Sequence, residues 1–211
     1  MPQWSEEIFT KNSKSNFRYE PMEKIEGFKI LFAGNIGVAQ DFDSIINAIN
    51  EVKQHDIHLV VLGEGRAKKD ALKKVEEYHL TNSISFLGSF PLETMPYFFS
   101  KSDAFLISLK KSNIFSRTIP SKTQPYMSSG KPILTNADGE VSRIINEARC
   151  GLTANSGDYI TLSENMVKLS KQSQEEIKIM SKNSKQYYEK NFNRKDILIN
   201  LEQRFVKLLV R

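Results

Sequence analysis

From Phe28 onward, short continuous apolar runs alternate with stretches whose apolar residues recur every three or four positions. Phe28-Lys29-Ile30-Leu31-Phe32-Ala33 reads as a buried strand ending in Gly34-Asn35-Ile36-Gly37. Phe42, Ile45, Ile46, Ile49 and Val52 follow at helical spacing. The same alternation recurs down the chain. Strands are predicted at His58–Leu62, Ser83–Leu87, Ala104–Ser108 and Ile133–Thr135, with a sixth, edge strand at Leu152–Ala154. Helices are predicted over 66–79, from Pro91 through about Lys101, over 119–129, around Ile144-Ile145, and as three helices across 158–210 with breaks near Ser173 and Asn193. Pro91 and Pro120 suit first helical turns, and Gly130 before Lys131-Pro132 suits a helix end.

Strands alternating with helices imply βαβ units and a parallel sheet. Continuous rather than alternating apolar strands imply that both faces of that sheet are covered. Residues 1–26 are polar and interrupted by Pro2 and Pro21, which reads as a linker or arm; residues 27–193 form the α/β domain; residues 194–211 form a C-terminal helix. That last helix carries Ile197, Leu198, Leu201, Phe205, Leu208 and Leu209 along one face, to be covered by its own domain or by another. In such folds ligands sit beyond the carboxyl ends of the strands. The site is therefore expected from Gly34–Gln40, Gly63–Arg66, Gly88–Phe90 and the 109–122 stretch.

Composition narrows the chemistry. The chain of 211 residues has a net charge of +5, but its lysines are spread over helix faces, as in Lys68, Lys69, Lys73 and Lys74. Basic residues interleaved with exposed aromatics are missing, which argues against nucleic acid as a partner. The one cysteine, Cys150, can form neither an internal disulfide nor a cysteine metal site, and reads as a small buried filler. His55, His58 and His79 lack a second ligand or nucleophile nearby in sequence, so no metal site is expected. A reducing, cytoplasmic setting follows from the cysteine usage.

At the strand ends, Gly34-Asn35-Ile36-Gly37 allows a sharp turn and close approach to a phosphate. Its G-x-x-G spacing differs from the G-x-G-x-x-G of dinucleotide oxidoreductases, which weighs against that class. Ile119-Pro120-Ser121-Lys122 would aim hydroxyl, N–H and ammonium groups at one spot, though an ordinary capped surface helix explains it equally. Ser89 and Phe90 could read and stack a base, or Phe90 could be core. Glu64 could hold a ribose, or be solvated.

The order of these segments resembles the C-terminal domain of GT4-family glycosyltransferases. Ile30–Asp41 is similar to that domain's opening, nearest to a branch beginning G-N-x-G-x-x-Q. Val61-Leu62-Gly63-Glu64-Gly65, Phe86-Leu87-Gly88 with Met95-Pro96 and Ser102-Asp103-Ala104, and Pro120-Ser121-Lys122 with Tyr126–Ile133 resemble later elements in order and spacing. Pro2-Gln3-Trp4 resembles the interdomain linker.

The resemblance implies a GT-B enzyme, with two Rossmann-like domains facing across a cleft. This chain corresponds to the C-terminal half, which holds a nucleoside-diphosphate sugar, UDP- or GDP-linked. An N-terminal domain, in the same full-length chain or a separate protein, would hold a glycan or lipid-linked acceptor. Transfer would retain anomeric configuration without a metal or other cofactor, at the cytoplasm or the inner face of the membrane. The chain by itself would bind donor without turnover.

The same resemblance assigns Lys122, Ser121 and the Gly37 backbone to the leaving diphosphate; Asn35, Gln40, Glu64, Ser89, Phe90, Ile119, Pro120 and Gln124 are the further candidates for holding the donor. Two departures from the family stand out. The arginine and lysine usual after the first strand are replaced by Asn35 and Gln40, leaving Lys122 to balance the diphosphate. The usual E-x7-E pair falls on Arg117 and Pro125. A proline side chain accepts no ribose hydroxyl. Gln124 or Glu64 would then take that role, with Arg117 adding charge near the phosphates; otherwise donor affinity is reduced, or the protein is a degenerate, non-catalytic subunit partnering a separate acceptor-domain protein.

Overall fold

A computed structural model describes residues 3–10 and 17–209, with Thr10 and Leu209 by backbone alone. Pro2 of the linker resemblance, residues 11–16 of the predicted arm and residues 210–211 lie outside the described residues.

Six strands form one parallel sheet: β1 (Phe28–Ala33), β2 (Ile57–Leu62), β3 (Ile84–Gly88), β4 (Ala104–Ser108), β5 (Ile133–Asn136) and β6 (Gly151–Ala154). Their spatial order is β3-β2-β1-β4-β5-β6. This is the doubly wound order, with its reversal between β1 and β4. The sheet is Rossmann-like, as expected.

Burial on both faces explains the unbroken apolar strands. Ile30, Phe32, Leu59 and Val61 face one core, shared with α3 (Phe42–Glu51), α4 (Lys68–Glu77) and α8 (Tyr159–Ser170). Leu31, Val60, Leu62, Phe105 and Ile107 face the other, shared with α5 (Met95–Lys101), α6 (Thr123–Ser129) and α7 (Glu140–Ala148). Tyr188 and Phe192 of α9 (Gln174–Phe192) extend this second core over α6. Cys150 is fully buried there. Ser173 caps α9 by accepting from the Glu176 N–H, while the Glu176 carboxylate accepts from the Ser173 N–H.

Three predicted features differ. The chain from Pro91 first makes a 3-10 turn, Leu92–Thr94, and Pro96, not Pro91, occupies the first turn of α5. Likewise α6 begins at Thr123, so Pro120 stands in a turn before the helix, where its carbonyl accepts from the Thr123 N–H. The arm is also more than a polar tether. It forms two short helices, α1 (Glu7–Thr10) and α2 (Glu20–Glu23). Met22 is buried, and Phe17 and Tyr19 pack edge-on against Phe90 and tilted against Phe98. Tyr97 Oη donates to the Glu23 carboxylate at 2.8 Å, which Lys101 also engages at 2.8 Å.

The last helix, α10 (Arg194–Leu209), buries Ile197 but leaves Leu198, Ile199, Phe205, Val206 and Leu208 exposed. No helix among the described residues is long and apolar enough to cross a membrane.

Candidate functional site

Where the strand order reverses, the loops after β1 and β4 diverge and leave a crevice. A cleft of about 1160 Å³ opens there, over the carboxyl ends of β1, β2 and β4. Its floor depends on two glycines. Gly34 and Gly63 both have φ of +139°, which L side chains rarely adopt. A Cβ on Gly63 would lie 1.9 Å from the Gly34 carbonyl oxygen, so the loops after β1 and β2 can touch only as glycines.

These loops are laced together, and the lacing changes the phosphate-loop expectation. The Gly34 N–H donates to Leu62 O at 2.9 Å, and the Ile36 N–H to Glu64 O at 2.8 Å. The Gly37 N–H donates to Gln40 Oε1 at 3.1 Å. The N–H groups of Gly34, Ile36 and Gly37 are thus spent inside the loops rather than offered to a phosphate. Gly37 also opens a 3-10 turn, Val38–Gln40, rather than α3 itself, and it does not line the cleft.

Lys122 is different. Its Nζ is buried and has no hydrogen-bond partner, although part of the residue's stem reaches the surface. It sits 3.5 Å from the centroid of the Phe32 ring, and a Cβ on Gly34 would lie 3.2 Å from it. Burial without a counter-charge pulls its pKa down to about 7. A cation–π contact offsets only part of that cost. Lys122 therefore holds an unpartnered amine at the switch point, one that a bound anion would help to protonate, with exposed Ser121 beside it on the cleft wall. Nearby, Tyr126 stacks on Phe105 at 4.2 Å and its hydroxyl accepts from the Ala33 N–H at 2.8 Å, tying α6 to the end of β1.

The remaining predicted residues divide. Asn35, Gln40, Glu64, Ser89, Phe90, Pro120, Ser121 and Lys122 all line the cleft. Phe90 lines it while packing against Phe98 in the aromatic cluster, centroids 4.6 Å apart. Glu64 is held by Lys68 at 2.6 Å.

Arg117, Ile119 and Gln124 do not line it. Arg117 is exposed on a separate 3-10 turn, Phe115–Arg117. Ile119 packs against the second core. Gln124, in the first turn of α6, is buried with its Oε1 unpartnered.

Sequence reasoning missed the arm's share of the wall. Gln3, Trp4, Glu6 and Phe9 line the cleft, and so does Pro125. The one signal was aromatic: Trp4 and Phe9 are bulky apolar residues in an otherwise polar segment. Among the described residues no group of His, Cys, Asp and Glu is arranged to hold a metal.

A doubly wound sheet with an apolar-walled cleft at its reversal point, and the unpartnered Lys122 amine in it, is the arrangement in which such folds receive their ligands. Residues 27–172 match the family of glycosyl transferases group 1, and the chain belongs to that family. A probable glycosyltransferase, WbjE, of Pseudomonas aeruginosa is 30% identical over 134 residues, 63% of this chain and 33% of that protein. Among solved structures, a glycosyltransferase from Rickettsia africae superposes with a TM-score of 0.78 at 14% identity, over 96% of this chain and 55% of that one. Anabaena Alr3699/HepE in complex with UDP and glucose gives 0.74 at 14% identity, over 98% and 55%. The fold is that of a GT-B C-terminal half, and the chain spans a third to about half the length of these relatives.

Proposed function

We propose that this chain is the donor-binding half of a retaining GT4-type hexosyltransferase. It binds a nucleoside-diphosphate sugar, UDP- or GDP-linked, without a metal. An N-terminal GT-B domain, in the same full-length protein or a separate one, presents the glycan or lipid-linked acceptor. The work of polysaccharide assembly would take place in the cytoplasm or at the inner face of the membrane. The observation that carries this reading is the buried, unpartnered ammonium of Lys122 in the cleft. An isolated buried charge is costly, and a diphosphate is the group that would relieve it. The UDP seen in the Anabaena relative supports the donor class.

Chemistry at this site is electrostatic. As the bond from the sugar C1 to the diphosphate breaks, the departing oxygen gains negative charge. Lys122 and the Ser121 hydroxyl stand where they can stabilise it. In the two-domain enzyme, Lys122→Ala should lower kcat by at least about a hundredfold. Near-parental turnover would contradict the assignment.

A second reading has one specific support: at the two E-x7-E positions, Arg117 is exposed and does not line the cleft, and Pro125 lines it without a side-chain acceptor. On that reading the chain is a non-catalytic subunit. It would bind no nucleoside diphosphate and would form a stable complex with a separate acceptor-domain protein.

A further inference from the structure

A bound ribose presents two hydroxyls, and nucleotide sites on doubly wound sheets commonly meet them with a carboxylate, which accepts from both. Two carboxylates line this cleft, those of Glu64 and Glu6. Lys68 engages Oε1 of Glu64 at 2.6 Å, so a ribose there would share the carboxylate with that ion pair. Glu6 is exposed and engaged in no ion pair among the described residues.

Glu6 is also tied to the element that carries Lys122. Lys122 and Pro125 line the cleft at the N-terminal end of α6. One turn further, Ser128 Oγ lies 3.0 Å from Pro125 O and 3.2 Å from Ser5 Oγ. Ser5 is buried, and its N–H donates to Tyr188 Oη at 3.4 Å. The arm is therefore pinned to α6 at the residue just before Glu6. Six residues of chain at helical rise put Ser128 about 9 Å from Lys122. On the far side, Phe9 stacks on Phe99 with centroids 5.0 Å apart, and both line the cleft toward Phe90. Glu6 thus belongs to the cleft wall that also carries Lys122, Pro125 and the aromatic residues Phe9, Phe90 and Phe99.

We propose that Glu6, carried by the N-terminal arm, is the acceptor for the ribose hydroxyls of the bound nucleotide, so that the arm completes the donor site. The proposal rests on the nucleotide-binding reading above. It reassigns to the arm a contact that the E-x7-E pattern would have placed at Pro125.

The test uses this chain and two ligands, UDP and 2′,3′-dideoxy-UDP, in calorimetric titrations of the parent, Glu6→Gln and Glu64→Gln, with GDP and its dideoxy form replacing them if GDP is the nucleotide bound. Glu6→Gln should weaken UDP by about ten- to a hundredfold, the range for a hydrogen bond to a charged group. It should leave dideoxy-UDP binding unchanged, because the contact is already absent. A merely structural role for Glu6 would weaken both ligands alike. Parental affinity for UDP in Glu6→Gln, or a ribose-selective loss in Glu64→Gln instead, overturns this proposal and leaves nucleotide binding standing. A parent chain that binds no nucleoside diphosphate overturns both.

Discussion

Replacing Lys122 by methionine should stabilise the unliganded protein while destroying its proposed ligand site. The buried Nζ has no partner, and its pKa falls from 10.5 to about 7. The unfolded chain keeps this amine protonated until pH 10.5, whereas the folded one releases the proton above about 7. Between those values the unfolded state binds more protons, so stability rises with pH. The penalty is full below pH 7 and gone above 10.5. Linkage makes it about 4 kcal/mol at pH 7 and about 2 kcal/mol at pH 9. These are upper values, since the stem of Lys122 reaches the surface and water can reach the amine in brief openings. Methionine keeps the length and the contact with Phe32 and carries no charge. Thermal melts of both proteins at pH 7 and pH 9, without ligand, should show Lys122→Met melting at least about 3 °C higher at pH 7. Roughly half of that gain should be lost by pH 9. An unchanged Tm at pH 7, or a gain indifferent to pH, would refute the argument from an uncompensated buried ammonium.

Three other outcomes follow from the same geometry. Binding of a nucleoside diphosphate should draw a proton onto Lys122, so affinity should fall by nearly tenfold per pH unit between about 8 and 9, seen as proton uptake when titrations are repeated in buffers of different ionisation heat. Gly63→Ala places a Cβ 1.9 Å from Gly34 O at a φ of +139° and should cost at least about 2 kcal/mol by denaturant unfolding, with loss of the cleft floor. Tyr126→Phe strands the Ala33 N–H in the interior and should cost about 1–3 kcal/mol in the same measurement, although the stacking on Phe105 survives.

The sheet was legible because its strands are apolar on both faces and end at glycines, as at Phe32-Ala33-Gly34 and Val61-Leu62-Gly63. The C-terminal helices were legible through Ser173 and Asn193, which stand at their breaks. The cleft's loops followed from topology, while Lys122 was singled out among them by the family resemblance. What sequence could not show was which groups the loops keep for themselves. Gln40 is three residues from Gly37, and only the turn between them reveals that its side chain consumes the glycine N–H. Arg117 lies in sequence beside the cleft residues Thr118 and Pro120, yet at the end of its 3-10 turn it is exposed and does not line the cleft. The arm was hidden for another reason. Phe9, Phe17 and Tyr19 have no periodicity of their own, and their partners Phe99, Phe90 and Phe98 lie some seventy to ninety residues away in sequence. Long-range contacts of isolated residues leave no local pattern.

The central claim is that this cleft receives a nucleoside diphosphate on the Lys122 ammonium. Calorimetric titration of the chain with UDP, GDP and ADP, each with and without magnesium, tests it most directly. The account predicts that one of the three binds regardless of magnesium, and that Lys122→Ala weakens that binding by tenfold or more, on the order of a charged hydrogen bond. Heat from none of the three at millimolar ligand, or equal affinity in Lys122→Ala, would contradict it.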